Sequence, residues 1–291
     1  MSVFLPLLTS GIALGSVYAA IALGFVLVFK SSGILNFAQG DFVMIAIYLA
    51  ILCFVTLRLP AVIAILFVFA AMGALGLLVH YLVAKPLIGK PFFSLVLATI
   101  GVGLILHAVV IGFFGVYEQR PLALFTPGVF HIGDAAISYS DVTIVIITFA
   151  VVGAFAAIFR WSSIGLRMRA VAENLEAAVI VGIDTDRVFA ITWIVGLIVS
   201  AIGGILYANF TSSIDLSISD IGLAAIPAAI IGGMTSIPGA VIGGLLLGLI
   251  EQIASGYLGA QWRDLFSFGS LFIVLMIRPQ GLFGRAEIVR V

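Results

Sequence analysis

The chain has 291 residues, of which 63% are hydrophobic and only 9% charged, with a mean hydropathy of +1.34. A soluble domain of this length needs far more polar residues to cover its surface, so lipid is expected to solvate the outside. A formal net charge of zero argues against a nucleic-acid partner, and the single cysteine, Cys53, excludes a disulfide framework.

His80, His107 and His131 are too far apart for metal-ligand spacing, and no metal or cofactor is expected. The only Gly-Lys pair, Gly89-Lys90, runs into Pro91. No P-loop is possible there, so the chain is not expected to hydrolyse nucleotide itself.

A helix needs about 20 apolar residues to cross roughly 30 Å of hydrocarbon. By that measure spans are expected near 5–29, 41–57, 60–83, 93–115, 142–160, 188–210, 222–234, 239–256 and 264–278. The seventh is too short to cross alone and reads as a half-helix, so the count is eight or nine. No Lys or Arg precedes Lys30, so the opening apolar stretch is read as a span and not as a cleaved leader. With the N-terminus outside and nine crossings, Lys30, Lys85, Lys90, Arg160, Arg167, Arg169, Arg187, Arg278, Arg285 and Arg290 are cytoplasmic. Arg58, Arg120 and Arg263 are outside, which satisfies the positive-inside bias. Residues 116–141, with Glu118, Arg120, Pro121, Pro127 and Asp134, form an external loop, and 161–187 form the largest cytoplasmic one. The fold class is all-α: one polytopic transmembrane helical bundle over 1–291.

Two polar interruptions part apolar spans. The first runs Ser31-Ser32-Gly33-Ile34-Leu35-Asn36-Phe37-Ala38-Gln39-Gly40-Asp41, the second Gly232-Gly233-Met234-Thr235-Ser236-Ile237-Pro238-Gly239. Paired Gly/Pro breaks in two halves of a transporter mark the translocation path, because irregular backbone at membrane depth survives only where protein or water satisfies it. Asn36, Phe37, Gln39, Gly40, Gly232, Gly233, Thr235 and Ser236 are therefore pathway candidates; the alternative is that both segments are surface turns. His107 and Glu251 are isolated polar groups inside spans, where such a group normally faces protein or water. Hydrogen-bonded packing is the plainer role for His107. For Glu251 structural pairing is plainer than substrate contact, a place near the membrane edge being the alternative.

In the cytoplasmic loop, Arg169, Glu173 and Glu176 fall at i, i+4 and i+7 on one helical face, with Val171, Leu175 and Ala178 on another. Gly182 supplies a left-handed stop followed by apolar Ile183, and Asp184 or Asp186 is placed to cap the next span. The spacing predicts one short amphipathic helix lying at the interface.

Glu176-Ala177-Ala178-x-x-x-Gly182 resembles the EAA---G loop of ABC importer permeases. Ser163-Ile164-Gly165-Leu166-Arg167, Gly182 to Val188, Ile34 to Gly40, Gly232 to Gly239, and Arg278-Pro279-Gln280-Gly281-Leu282-Phe283-Gly284 resemble, in order, the branched-chain amino-acid permease family within that group. The family often has His where this chain has Gln39, so no acid–base role is given to that position.

The resemblance implies a multi-pass permease in the cytoplasmic (inner) membrane, paired with a second permease subunit. It also implies two cytoplasmic ABC ATPase subunits and an extracytoplasmic substrate-binding protein, with membrane lipid around the bundle. Arg169, Glu173, Glu176, Ala177, Ala178 and Gly182 would couple ATPase closure to the spans, and the substrate would be a branched-chain or related amino acid. Related permeases carry urea or short amides. An ion-coupled secondary transporter would need more ionisable groups in its spans than His107 and Glu251, and a membrane enzyme would need clustered Asp, His or Cys.

Overall fold

The computed structural model describes residues 4–125, 128–133 and 135–284; Pro127, Asp134, Arg285 and Arg290 lie outside them. Among the described residues eight helices are long and apolar enough to cross a membrane. They are α1 (Phe4–Ser32), α2 (Gln39–Thr56), α3 (Ala61–Leu87), α4 (Phe92–Phe114), α5 (Tyr139–Trp161), α8 (Thr185–Phe210), α10 (Ile237–Leu258) and α11 (Ala260–Ile277). The expected short seventh span is α9, Leu216–Gly232, a 3-10 turn running into an α-helix. Two small helices, α6 (Ser163–Glu173) and α7 (Leu175–Ile180), make up the loop between α5 and α8. The loop after α4 holds a strand pair that the sequence does not announce: β1 (Val129–Ile132) and β2 (Ala135–Ser138), antiparallel, with Val129 opposite Ser138.

Helix α1 is the axis of the bundle, buried from Gly11 to Val28 apart from Ile12. Lipid tails are as apolar as leucine, so helices associate here through close backbone approach between small residues. Antiparallel to α1 runs α10: a Cβ built on Gly15 would lie 2.7 Å from Leu245 Cα, and one on Gly248 would overlap the Gly15 backbone. On the other side α8 is also antiparallel, with Gly24 against Gly196 and Ser200, and Gly203 against Ile21. Outside α8 lies α3, where a Cβ on Gly76 would come within 2.8 Å of the Trp193 carbonyl oxygen.

Parallel to α1 runs α5. Ser10 Oγ donates to Asp141 Oδ2 (2.8 Å) at one end, and the Lys30 ammonium lies 6.0 Å from the Phe159 ring centre at the other. These contacts fix the two ends of the bundle, called here the Ser10 end and the Lys30 end. Lys85, Lys90, Arg160, Arg187 and Arg278 stand at helix ends on the Lys30 side, with Arg167 and Arg169 in α6 beside them; Arg58, Arg120 and Arg263 stand on the other.

Helix α3 overruns its expected end through a widened turn, His80–Ala84, after which Pro86 sits where a missing N–H costs nothing. Helices α4, α5 and α11 bury few of their residues, as lipid- or partner-facing helices do.

Replacing Gly248 by Val forces α10 away from α1, and overpacking of this kind costs roughly 1–3 kcal/mol. A lowered thermal midpoint in detergent is expected, while Gly101→Ala and Gly153→Ala, where a Cβ meets open space, leave the midpoint in place. Equal midpoints for all three variants would contradict this packing.

Candidate translocation and coupling sites

After Ser32 the chain turns at Gly33, whose φ of +69° suits a residue without Cβ, and runs back into the bundle before α2 begins. Asn36 and Gln39 are each 1% exposed. Asn36 Nδ2 donates to Gln39 Oε1 (3.0 Å), and Asn36 Oδ1 accepts from the Ala38 N–H (3.2 Å). Gln39 Nε2 donates to Ser200 Oγ (2.5 Å) and reaches the Ile21 carbonyl (3.4 Å). The Phe37 N–H donates to Thr99 Oγ1 (3.3 Å). Ser200 lies about 22 Å along α8 from Thr185 and about 15 Å short of Phe210, at 1.5 Å per residue. This break is therefore deep in the bundle, where side-chain amides replace the water that backbone groups would otherwise need.

The sequence pairs this break with Gly232–Gly239, and the fold does not bring the two together. Gly232–Gly239 is a tight turn between α9 and α10 at the Lys30 end. Gly233 has φ +104°, Ser236 Oγ accepts from the Gly239 N–H (3.1 Å), and Thr235 is exposed. The Arg278–Gly284 segment crosses it: the Leu282 N–H donates to the Ile231 carbonyl (2.8 Å) and the Phe283 N–H to that of Gly232 (3.0 Å).

What faces Gly40 is Ser219, at the end of the Thr211–Ser219 connection, and the start of α9 at Gly222. A Cβ on Gly222 would overlap the Gly40 backbone, and one on Gly40 the Ser219 carbonyl. Two helices thus begin at half depth with their N-termini together, and α9 spans the ~18 Å from that meeting point to the turn. Ser219 and Gly222 were missed; the polar run Thr211-Ser212-Ser213-Ile214-Asp215 is the signal that could have found them.

His107 and Glu251 both have partners. His107 Nδ1 lies 3.4 Å from Asp41 Oδ1, in the first turn of α2, where a negative charge is favoured. Glu251 is 2% exposed, accepts from Tyr18 OH (2.6 Å) and pairs with Arg263 Nε (2.8 Å); the Arg263 guanidinium also reaches Tyr18 OH.

The loop between α5 and α8 corrects one expectation. Arg169, Glu173 and Glu176 do not share a continuous helix, because Asn174 (φ −157°, ψ 105°) leaves the helical region and starts a new one, its Oδ1 accepting from the Ala177 N–H (2.9 Å). Arg169 turns inward, donating to the Phe159 and Arg160 carbonyls at the end of α5, with its guanidinium 5.4 Å from the Phe159 ring centre. Glu173, Glu176 and Ala177 are exposed.

Helix α7 buries Ala178 and exposes Leu175, Val179 and Ile180, with Val181 beside them. Gly182 stops it as expected: φ is +82°, its N–H donates to the Val179 carbonyl (3.0 Å), and the Ile183 N–H to that of Ala178 (3.0 Å). Of the two candidate caps, Asp184 serves, accepting from the Arg187 N–H (3.0 Å).

Removing Glu251 leaves the Arg263 guanidinium, about a third exposed, without its carboxylate, a loss toward the low end of the roughly 3–5 kcal/mol that breaking a fully buried pair costs. Glu251→Leu should therefore lower the thermal midpoint in detergent sharply, and adding Arg263→Leu should recover part of the loss. A double variant no better than the single would mean that the pair is not what Glu251 contributes.

A family model described as the permease component of branched-chain amino acid transport systems matches residues 7–275. The chain is 33% identical over a 302-position alignment to the high-affinity branched-chain amino acid transport system permease protein LivH of Escherichia coli, covering 99% of this chain and 98% of that one. Its identity to the corresponding protein BraD of Pseudomonas aeruginosa is 31% over 303 positions, with the same coverage. Among solved structures, a chain of PsaBC from Streptococcus pneumoniae, in complex with Fab, has a similar fold. That match has a TM-score of 0.50 at 15% identity and covers 96% of this chain and 93% of that one. With its apolar spans, broken helices and full-length relatives, this multi-pass membrane protein belongs to the family of branched-chain amino acid transport permeases.

Proposed function

We propose that the chain is a permease subunit of an ABC importer that carries branched-chain amino acids across the cytoplasmic membrane. In this reading it works as one unit with a second permease subunit, two cytoplasmic ATPases and an extracytoplasmic binding protein. ATP is hydrolysed in the partners, and the Lys30 end, rich in Lys and Arg, faces the cytoplasm.

The observation that carries the reading is α7. An isolated six-residue helix that leaves Leu175, Val179 and Ile180 uncovered, rimmed by Glu173 and Glu176, is a surface shaped for a partner. Its attachments are stiff. Arg169 ties the loop to the end of α5, and the Gly182 stop and Asp184 cap run straight into α8. Along α8, Ser200 holds Gln39 at the mid-bundle break. A push on α7 therefore reaches the meeting point of α2 and α9 through one rigid helix, with Asn36, Phe37, Gln39 and Gly40 lining the region that opens. In this account the Gly232–Ser236 turn anchors the other end of α9.

The test is uptake of labelled leucine by proteoliposomes holding all subunits, with urea as comparison substrate. Leucine uptake that requires ATP is expected; uptake driven by a proton or sodium gradient without ATP contradicts the reading, and preference for urea contradicts the substrate. Ile180→Asp should weaken ATPase co-purification about tenfold, equivalent to ~1.4 kcal/mol, without loss of membrane insertion. Undiminished capture of the ATPases by that variant would remove α7 from the interface.

A further inference from the structure

His80 and Asp186 are 106 residues apart, and no motif joins them. In the fold, Asp186 lies in the first turn of α8, immediately after the Gly182 stop and the Asp184 cap, and bridges to the Lys30 end of α3. His80 is fully buried, with Nε2 3.1 Å from Asp186 Oδ1. A carboxylate only accepts, so Nε2 carries the proton and donates. Lys85 Nζ donates to the other oxygen, Oδ2, at 2.8 Å.

The widened turn makes this bidentate grip possible. In an ordinary α-helix, residues five apart point about 140° away from each other, at about 100° per residue. Here the Lys85 N–H donates to the His80 carbonyl, closing an i→i+5 turn that brings both side chains to one face. Single wide turns of this kind recur at functional sites because they re-aim side chains. Higher up, α3 packs on α8 through its glycines, Gly73 facing Ile194 and Ile198 and Gly76 facing Trp193 and Ile194. Half-exposed ion pairs add little stability. The effect of this one is to fix α3 to the foot of α8.

We infer that Asp186 is a positioning residue for transport: through His80 and Lys85 it makes α3 move with the α6–α7 loop, so that a push on α7 drives α3 together with α8. The inference rests on the coupling role proposed for α7. It adds a second output helix to that role.

The test uses the complete transporter in proteoliposomes, with leucine uptake and ATP hydrolysis measured on the same vesicles. Asp186→Ala is expected to lower leucine moved per ATP by about fivefold or more while hydrolysis continues. Asp186→Glu should restore most of the ratio. Lys85→Met added to Asp186→Ala should cause no further loss, because both act through one contact. An unchanged ratio in Asp186→Ala overturns the inference, and so do uptake and hydrolysis that fall in equal proportion. Should Asp186→Ala not assemble, the ratio in Lys85→Met, a change at a half-exposed side chain, decides in the same way. Wild-type uptake indifferent to ATP would instead refute the importer reading on which the inference stands.

Discussion

A backbone amide or carbonyl inside a lipid-embedded bundle must find its hydrogen bond within the protein. This chain meets that demand at one place above all, the buried junction where the segment before α2 turns inward. Asn36, Gln39, Ser200 and Thr99 supply the partners, and Gly40 and Gly222 supply the space for two backbones to touch. Any side chain at either glycine would hold the two helix starts apart. Because both α2 and α9 begin there, their N-terminal N–H groups converge at half depth, and the first-turn carboxylates Asp41 and Asp220 lie where that field favours negative charge. The break that a soluble protein would leave at its surface becomes the centre of this one.

The same economy of side chain builds the frame around it. Gly11, Gly15 and Gly24 give α1 two close neighbours, α10 and α8, and so make it the fixed axis. Through Ser200, α8 is the helix that touches both the frame and the break. Its foot grows directly out of the α6–α7 loop, and its first turn grips α3. The loop is therefore stiffly connected on both sides, to α5 through Arg169 and to α8 through Gly182 and Asp184, while the apolar tip of α7 is left uncovered.

Much of this was legible in the residues because it is local. Long apolar runs mark the spans, and Gly182 followed by Ile183 spells a helix stop that the backbone adopts. The polar run from Ser31 to Asp41 announces a break. Asn174 defeats the periodicity argument: its neighbours sustain a helical pattern, but its own side chain caps a new helix, and the face drawn through Arg169 and Glu176 does not exist. Arg169, which the periodicity sets on one face with Glu173 and Glu176, instead caps α5, since carbonyls at a helix end attract a guanidinium ten residues away as well as any partner. The true neighbour of the first break lies in Thr211–Ser219 and not at Gly232–Gly239, and His80 meets Asp186. Such pairings depend on how helices stack, and no spacing along the chain encodes them.

The account depends most on which side of the membrane carries α7. The sole cysteine, Cys53, is buried. In a Cys53→Ser background with the chain expressed alone, Ala177→Cys and Tyr117→Cys report on opposite ends of the bundle. An impermeant thiol reagent should label Tyr117→Cys in intact cells and Ala177→Cys only in inside-out vesicles. Labelling of Ala177→Cys in intact cells would put α7 beyond the reach of any cytoplasmic ATPase and contradict the account.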